Sequence, residues 1–118
     1  MITVVYTERA GVLSLTLDGH AGAGEYGHDI VCASASMLAY TLAAGVAEAS
    51  ESGKLRNDPI ITLSPGFARV VCVPFPENDG EVRAMYDLIL GGYRLLSSQY
   101  PDNVKIIYDA TPERACHK

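Results

Sequence analysis

The stretch ITVVYTERAGVLSLTLD, residues 2–18, decides how this chain folds. On both sides of a turn-like segment at residues 8–11, apolar side chains alternate with their neighbours in the period of two that is typical of a β-strand. The pattern predicts an opening β-hairpin with one apolar face. That face carries Ile2, Val4, Tyr6, Leu13, Leu15 and Leu17.

A long apolar run after this hairpin predicts the first helix. Asp29 stands directly before the run and is a residue type that caps helix N-termini, and Ser and Gly accumulate at residues 50–53, where the helix is expected to end. Further on, Ser64-Pro65-Gly66 separates two short apolar stretches, which is the pattern of a second hairpin. Cys72 alternates within the later strand and is expected to be a core residue.

The second helix is predicted between Asn78 and Tyr100. Asn78 and Glu81 have the spacing of a capping box, Tyr100-Pro101 stops the helix, and apolar residues recur between them at helical spacing. These are Val82, Met85, Tyr86, Ile89, Tyr93 and Leu96. A last strand follows over residues 104–108. The order ββαββαβ predicts an α+β fold with a mainly antiparallel sheet and both helices packed on one face.

Composition limits the kinds of protein that the chain can be. Its 118 residues are 48% hydrophobic and 19% charged, which suits one domain over residues 1–118, with a frayed tail at 111–118. A net charge of −5 argues against direct binding of nucleic acid or anionic membranes. Three cysteines at scattered spacing argue against a disulfide framework, so a reducing compartment, the cytoplasm, is expected.

Residues 30–47 carry no charge and approach the length of a membrane-spanning helix. The run is rich in Ala, Ser and Gly, its flanks are acidic, and no basic residue marks a cytoplasmic side. The chain also opens without the basic segment of a secretory signal. We therefore expect a helix buried in a core or a subunit interface, and no membrane as partner.

The reactive residue types crowd into DGHAGAGEYGHDIVCASAS, residues 18–36. With Asp29 as the N-cap, Cys32 lies in the first helical turn, where unpaired backbone N–H groups and the helix dipole favour a thiolate. His20 is near enough in sequence for the glycine-rich loop to bring its ring over Cys32 as a general base. Asp29 is also a candidate for orienting a histidine, and the loop can admit an extended peptide.

Three other interpretations of this segment compete with a catalytic one. Cys32 can be a small core residue, the commonest role of a single cysteine in an apolar run. His20, His28, Asp29 and Cys32 are zinc-ligand types, but their spacing matches no compact zinc module, so no metal is expected. The glycines at 22, 24 and 27 formally match a dinucleotide fingerprint, but the chain is too short for repeated βαβ units, so no cofactor is expected.

Taken together, Gly19-His20-Ala21, the run GHDIVCA at residues 27–33 and Ser36 resemble the signature of the ribosomal-processing cysteine protease family, Prp. The likeness covers the first four residues, the segment 18–36, and the overall length and element order. The sequence departs from the family pattern at residues 23–24 of the loop and in its extension past Asp109. Neither departure removes a residue of the motif.

The resemblance implies a homodimeric endopeptidase that removes the N-terminal extension of a bacterial large-subunit ribosomal protein. It implies Cys32 as the nucleophile, His20 as the general base and Asp29 in a supporting catalytic role. The substrate-binding residues that it implies lie in a mobile loop and one helical turn after the nucleophile. They are Gly22, Gly24, Tyr26, Gly27 and Ser36.

The first helix has more apolar surface than one sheet face needs, so part of it is expected to form a dimer contact. The residues concerned are Ala33, Met37, Leu38, Leu42 and Val46. The alternative function is a non-catalytic dimeric peptide-binding module that acts in ribosome assembly, with Cys32 as a core residue only. The reactivity of the Cys32 thiol distinguishes the two functions.

Overall fold

The elements follow the predicted order in a computed structural model that describes residues 1–20 and 28–110, and for His28 and Asp29 the backbone alone. The strands are β1 (Ile2–Arg9), β2 (Val12–Asp18), β3 (Ile60–Ser64), β4 (Phe67–Cys72) and β5 (Val104–Ala110). The helices are α1 (His28–Glu51) and α2 (Asp79–Gln99), with a 3-10 turn at Pro76–Asn78 before α2. The predicted α+β class and the order ββαββαβ are confirmed. The predicted frayed tail, 111–118, lies outside the described residues.

The strands form one sheet with the order β3-β4-β2-β1-β5. The pairs β1–β2, β2–β4 and β3–β4 are antiparallel, as hairpins and their neighbours require. The first and last strands, β1 and β5, run parallel, and Ile2 lies opposite Val104. The sheet is therefore mostly antiparallel, as predicted, with one parallel pair at its edge.

The core lies between one face of the sheet and the two helices. The predicted inward-facing residues of β1 and β2 are all buried, and α1 and α2 pack against each other and against this face. Each fully buried Leu or Val side chain stabilises the fold by about 1.5–3 kcal/mol. The helix residues that complete the core include Val31, Ala35, Leu42, Val46, Val82, Tyr86, Leu90 and Tyr93.

Helix α1 is long and apolar enough to cross a membrane by length and composition alone. In the structure its residues Val31, Leu42 and Val46 are buried in the same core as the sheet. This placement agrees with the expectation of a core helix for one face of α1. Another face leaves the large apolar side chains of Ile30 and Met37 exposed.

The start of α1 differs from the prediction, whereas α2 begins where predicted but lacks the hydrogen bond of the predicted capping box. α1 begins at His28, so Asp29 lies within the first turn and is not the N-cap, and Cys32 is the fifth helical residue. An acidic residue is also favourable in a first turn, where it faces the positive end of the helix dipole. Asn78 holds the N-cap of α2, but its side chain makes no capping hydrogen bond. The backbone N–H of Asp79 instead donates to the Pro76 carbonyl within the 3-10 turn.

The first hairpin turn is shorter than predicted, because β1 continues through Glu8 and Arg9. Alternation then places Glu8 on the core face, where only 2% of its surface is exposed. Arg83 of α2 lies 3.4 Å from Glu8 Oε1 and also binds Asp79 at 2.9 Å. The buried carboxylate is thus faced by a guanidinium from the second helix.

Candidate active site

A small cleft of about 40 Å³ lies where the end of β2, the first half of α1 and the β3–β4 turn meet. Its lining includes His20, Cys32 and Ser36, three of the residues singled out in the sequence. Apolar walls surround them, contributed by Ile2, Leu17, Ala35, Ala39 and Ala68. The fold therefore brings an imidazole, a thiol and a hydroxyl together at one partly apolar site.

Helix α1 carries two of these side chains. Cys32 and Ser36 are four residues apart, which places them on the same helical face, one turn after the other. Side chains of an α-helix lean toward its N-terminus, so the Cys32 thiol lies beside the first turn. Cys32 is half-buried, whereas Cys72 is 2% exposed within the core, as predicted. Burial raises the pKa of the Cys72 thiol, so the two cysteines occupy chemically different settings.

The third side chain, His20, follows directly after β2. The backbone N–H of Gly19 donates to the Gly66 carbonyl at 2.9 Å, and the Met1 amino group donates to the His20 carbonyl at 2.6 Å. These two hydrogen bonds hold the backbone on both sides of the His20 Cα. The imidazole itself is exposed and lies against Gly66, in the turn between β3 and β4.

A buried hydrogen bond fixes the part of α1 that carries the cleft residues. The Tyr93 hydroxyl of α2 donates to the Ala35 carbonyl at 2.8 Å, between Cys32 and Ser36 along the helix. Burial raises the pKa of Tyr93, so its hydroxyl keeps the proton that it donates. The position of α1 at the cleft therefore depends on its contact with α2.

Some of the predicted site residues are not tested by this geometry. Gly22, Gly24, Tyr26 and Gly27 lie outside the described residues. The backbone of Asp29 lies in the first turn of α1. Among the described side chains, those of residues 1–20 and 30–110, no three His, Cys, Asp or Glu are grouped as a metal site would require.

The sequence analysis missed one cleft residue further along α1 and the cleft residues of the second hairpin. Tyr40, Ser64, Gly66 and Phe67 also line the cleft. Three of these belong to the β3–β4 turn, which reaches the cleft because β4 pairs with β2 and places Phe67 opposite Asp18. The Pro-Gly pair had indicated the turn, but no local pattern indicates which strand β4 adjoins.

A second, wider groove of about 530 Å³ runs between α1 and α2. It is lined by Ala33, Met37, Leu38, Leu95 and Leu96, among others, and Met37 and Leu95 are 61% and 67% exposed. Three of the residues expected at a dimer contact therefore line this groove. Leu42 and Val46 do not, because both are buried in the core.

Comparison with known proteins gives consistent matches over almost the whole chain. The family model described as Cysteine protease Prp matches residues 1–105. The ribosomal processing cysteine protease Prp of Staphylococcus aureus is 31% identical over 111 residues, which cover 92% of this chain and 99% of that protein.

Solved structures show the same fold. The crystal structure of SMU.848 from Streptococcus mutans has a TM-score of 0.70 at 27% identity and covers 94% of this chain and 96% of its own. The S. aureus Prp crystallised with a substrate peptide has a TM-score of 0.66 at 28% identity, and covers 92% of this chain and 100% of its own.

Proposed function

This chain belongs to the cysteine protease Prp family and is a cysteine protease, and we propose that it removes the N-terminal extension of a bacterial large-subunit ribosomal protein. Cys32 acts as the nucleophile and His20 as the general base. The common position of both side chains in one cleft supports these roles. Membership of a protease family argues against the alternative of a non-catalytic peptide-binding module.

The chemistry that we propose has two steps. The Cys32 thiolate attacks the scissile carbonyl carbon, and a C–S bond forms while the carbonyl oxygen takes up negative charge. Backbone N–H groups at the start of α1 stabilise this oxyanion. Collapse of the intermediate breaks the C–N bond, and protonated His20 gives its proton to the leaving amine. In the second step His20 takes a proton from water, which hydrolyses the thioester and releases the thiolate.

Other residues assist in this scheme. Asp29 supports the catalytic pair, and Ser36, one turn after Cys32, binds the peptide near the thiol. Gly22, Gly24, Tyr26 and Gly27 are the further substrate-binding residues. These assignments follow the family motif that the residues match.

The chemistry of the cleft and the charge of the chain suit such a substrate. The family resemblance implies an apolar, Phe-containing stretch before the cut and a basic mature N-terminus after it. The apolar cleft walls accept the apolar side chains of such a stretch. The net charge of −5 attracts the basic mature N-terminus that follows the cut. The reaction takes place in the cytoplasm, where ribosomal proteins are made.

Mass spectrometry of a ribosomal-protein N-terminal peptide, incubated with wild type and variants, tests this function. We expect one cut with wild type and none with Cys32→Ala. Cys72→Ala is the matched control, because it removes a thiol of the core without touching the cleft. Cleavage by Cys32→Ala at the wild-type rate would rule out Cys32 as the nucleophile. A loss of cleavage in folded Cys72→Ala, with Cys32→Ala still active, would also rule it out.

We also propose that the protein is a homodimer through the α1–α2 groove. Exposed apolar side chains beside a wide groove are typical of subunit contacts. Leu95→Glu is expected to give a monomer in sedimentation at micromolar concentration. Ile107→Glu, a control on β5 that adds the same charge outside the groove, should remain dimeric. A monomeric wild type would disprove the dimer.

A further inference from the structure

We infer that Gly66, in the β3–β4 turn, is a positioning residue for His20, and that a side chain at this position would disable the general base without unfolding the protein. This inference rests on the role of His20 in the proposed function. It assigns to the second hairpin a part in catalysis that its sequence alone did not indicate.

The turn is held firmly beside His20. Pro65 and Gly66 connect two strands paired at Ser64 and Phe67, and Gly66 has a φ of +76°, as the second central residue of a type II turn requires. The pairing of Phe67 with Asp18 extends into the hydrogen bond from Gly19 N–H to the Gly66 carbonyl, 2.9 Å long. The Cα of Gly66 therefore has a fixed place beneath the imidazole.

The imidazole of His20 fits beside Gly66 because glycine has no side chain. A Cβ atom on Gly66 would lie 2.5 Å from His20 Nε2 and 2.8 Å from Cε1, whereas ordinary contact begins at 3.4 Å. The ring would have to move by about 0.9 Å, and a shift of this size in a catalytic group lowers a rate by up to about a hundredfold. Because His20 is exposed, rotation of its side chain relieves the clash while the backbone stays in place.

The chain contains a matched control for the backbone effect. Gly53 has the same φ of +76°, and a Cβ there would meet nothing within 4 Å. An alanine at Gly53 or at Gly66 suffers the same left-handed strain, but only at Gly66 does it meet the imidazole. Gly66→Asn and Gly53→Asn form a second pair, because Asn tolerates this φ better and still carries a Cβ.

The experiment compares these variants in the full chain by peptide cleavage, by the rate at which iodoacetamide modifies Cys32, and by thermal melting. We expect Gly66→Ala to lower kcat by about tenfold to a hundredfold with little change in KM. The kcat of Gly53→Ala should stay within about twofold of the wild-type value, and the two alanine variants should melt at similar temperatures. A rise in KM alone would mean that the methyl group only narrows the cleft, and would overturn the inference.

The His20→Ala background separates this inference from the proposed function. If Gly66 acts through His20, Gly66→Ala should slow Cys32 modification in the wild-type background and change it less than about twofold in His20→Ala. An equal slowing in both backgrounds, or equal activity of the Gly66 and Gly53 variants, overturns the inference alone. If His20→Ala cleaves and reacts like wild type, the proposed role of His20 as the general base fails, and the role of Gly66 fails with it.

Discussion

Under native conditions at about pH 7.5, iodoacetamide is expected to modify Cys32 at least about a thousand times faster than Cys72. Cys72 lies on β4 between two other strands and is 2% exposed, so the reagent reaches it only in opened molecules. Core strands open with nearly the full free energy of unfolding, and even 5 kcal/mol leaves roughly one molecule in 5,000 open. Burial also raises the pKa of the Cys72 thiol, which lowers its reactivity further. Cys32 is half-buried at the edge of a cleft and needs no such opening.

Peptide-mapped mass spectrometry measures the label at each cysteine over time, and Cys116 is distinguished by its own peptide. The same reaction in guanidinium chloride gives the rate of each thiol in the unfolded chain, against which protection is calculated. His20→Ala should slow the labelling of Cys32 and leave that of Cys72 unchanged. If Cys32 is protected as strongly as Cys72, Cys32 is a core residue and its role as the nucleophile is wrong. If Cys72 reacts within tenfold of Cys32, our account of the core at β4 is wrong.

Three further results are expected. Arg83→Met removes the charge that faces buried Glu8 and should destabilise the fold by about 3–5 kcal/mol, lowering Tm by roughly 12–20 °C. Adding Glu8→Gln should restore part of the lost free energy of unfolding, measured by urea unfolding. If the losses of the two single variants simply add in the double variant, Glu8 and Arg83 are not coupled. Tyr93→Phe should cost about 0.5–1.5 kcal/mol by the same measurement, and an unchanged midpoint would show that its hydrogen bond contributes nothing. Burial raises the pKa of Tyr6 to about 12 and also raises the pKa values of Tyr86 and Tyr93. The stability that these tyrosines contribute should therefore be fully present below pH 10.0, the pKa of tyrosine in the unfolded chain, and should fall as the pH rises toward 12. Absorbance at 295 nm should then show these tyrosines ionising together with unfolding, and gradual ionisation of a folded protein would refute this.

Periodicity was sufficient to predict most of the fold because each element buries one face. The side chains of β1 alternate strictly, and the α2 residues from Val82 to Tyr93 keep one buried stripe. The first turn was misplaced at Glu8, since a charged residue at an inward position contradicts the hydrophobic pattern. The charge of Glu8 is compensated by Arg83, which reaches it only because α2 packs against the sheet. No local sequence pattern shows this packing.

The candidate site likewise contains residues that could be predicted from the sequence and residues that could not. His20, Cys32 and Ser36 could be predicted because they lie in one segment, between the end of a strand and the third turn of a helix. Gly66 and Phe67 could not, because they reach the cleft only through the pairing of β4 with β2. The residues found by sequence are therefore those with reactive side chains, and the residues added by the structure are those that surround them.

The parallel pairing of β1 with β5 has a consequence for the order in which the molecule matures. Ile2 lies in the cleft lining and opposite Val104, so the strand that supports this wall of the cleft is the last one to be synthesised. Contacts between such distant residues form slowly, because a long loop must close before they contribute any stability. A nascent chain that ends before Val104 already contains His20 and Cys32 but leaves the outer edge of β1 open. Proteolytic competence is thus expected to arise only after β5 has joined the sheet.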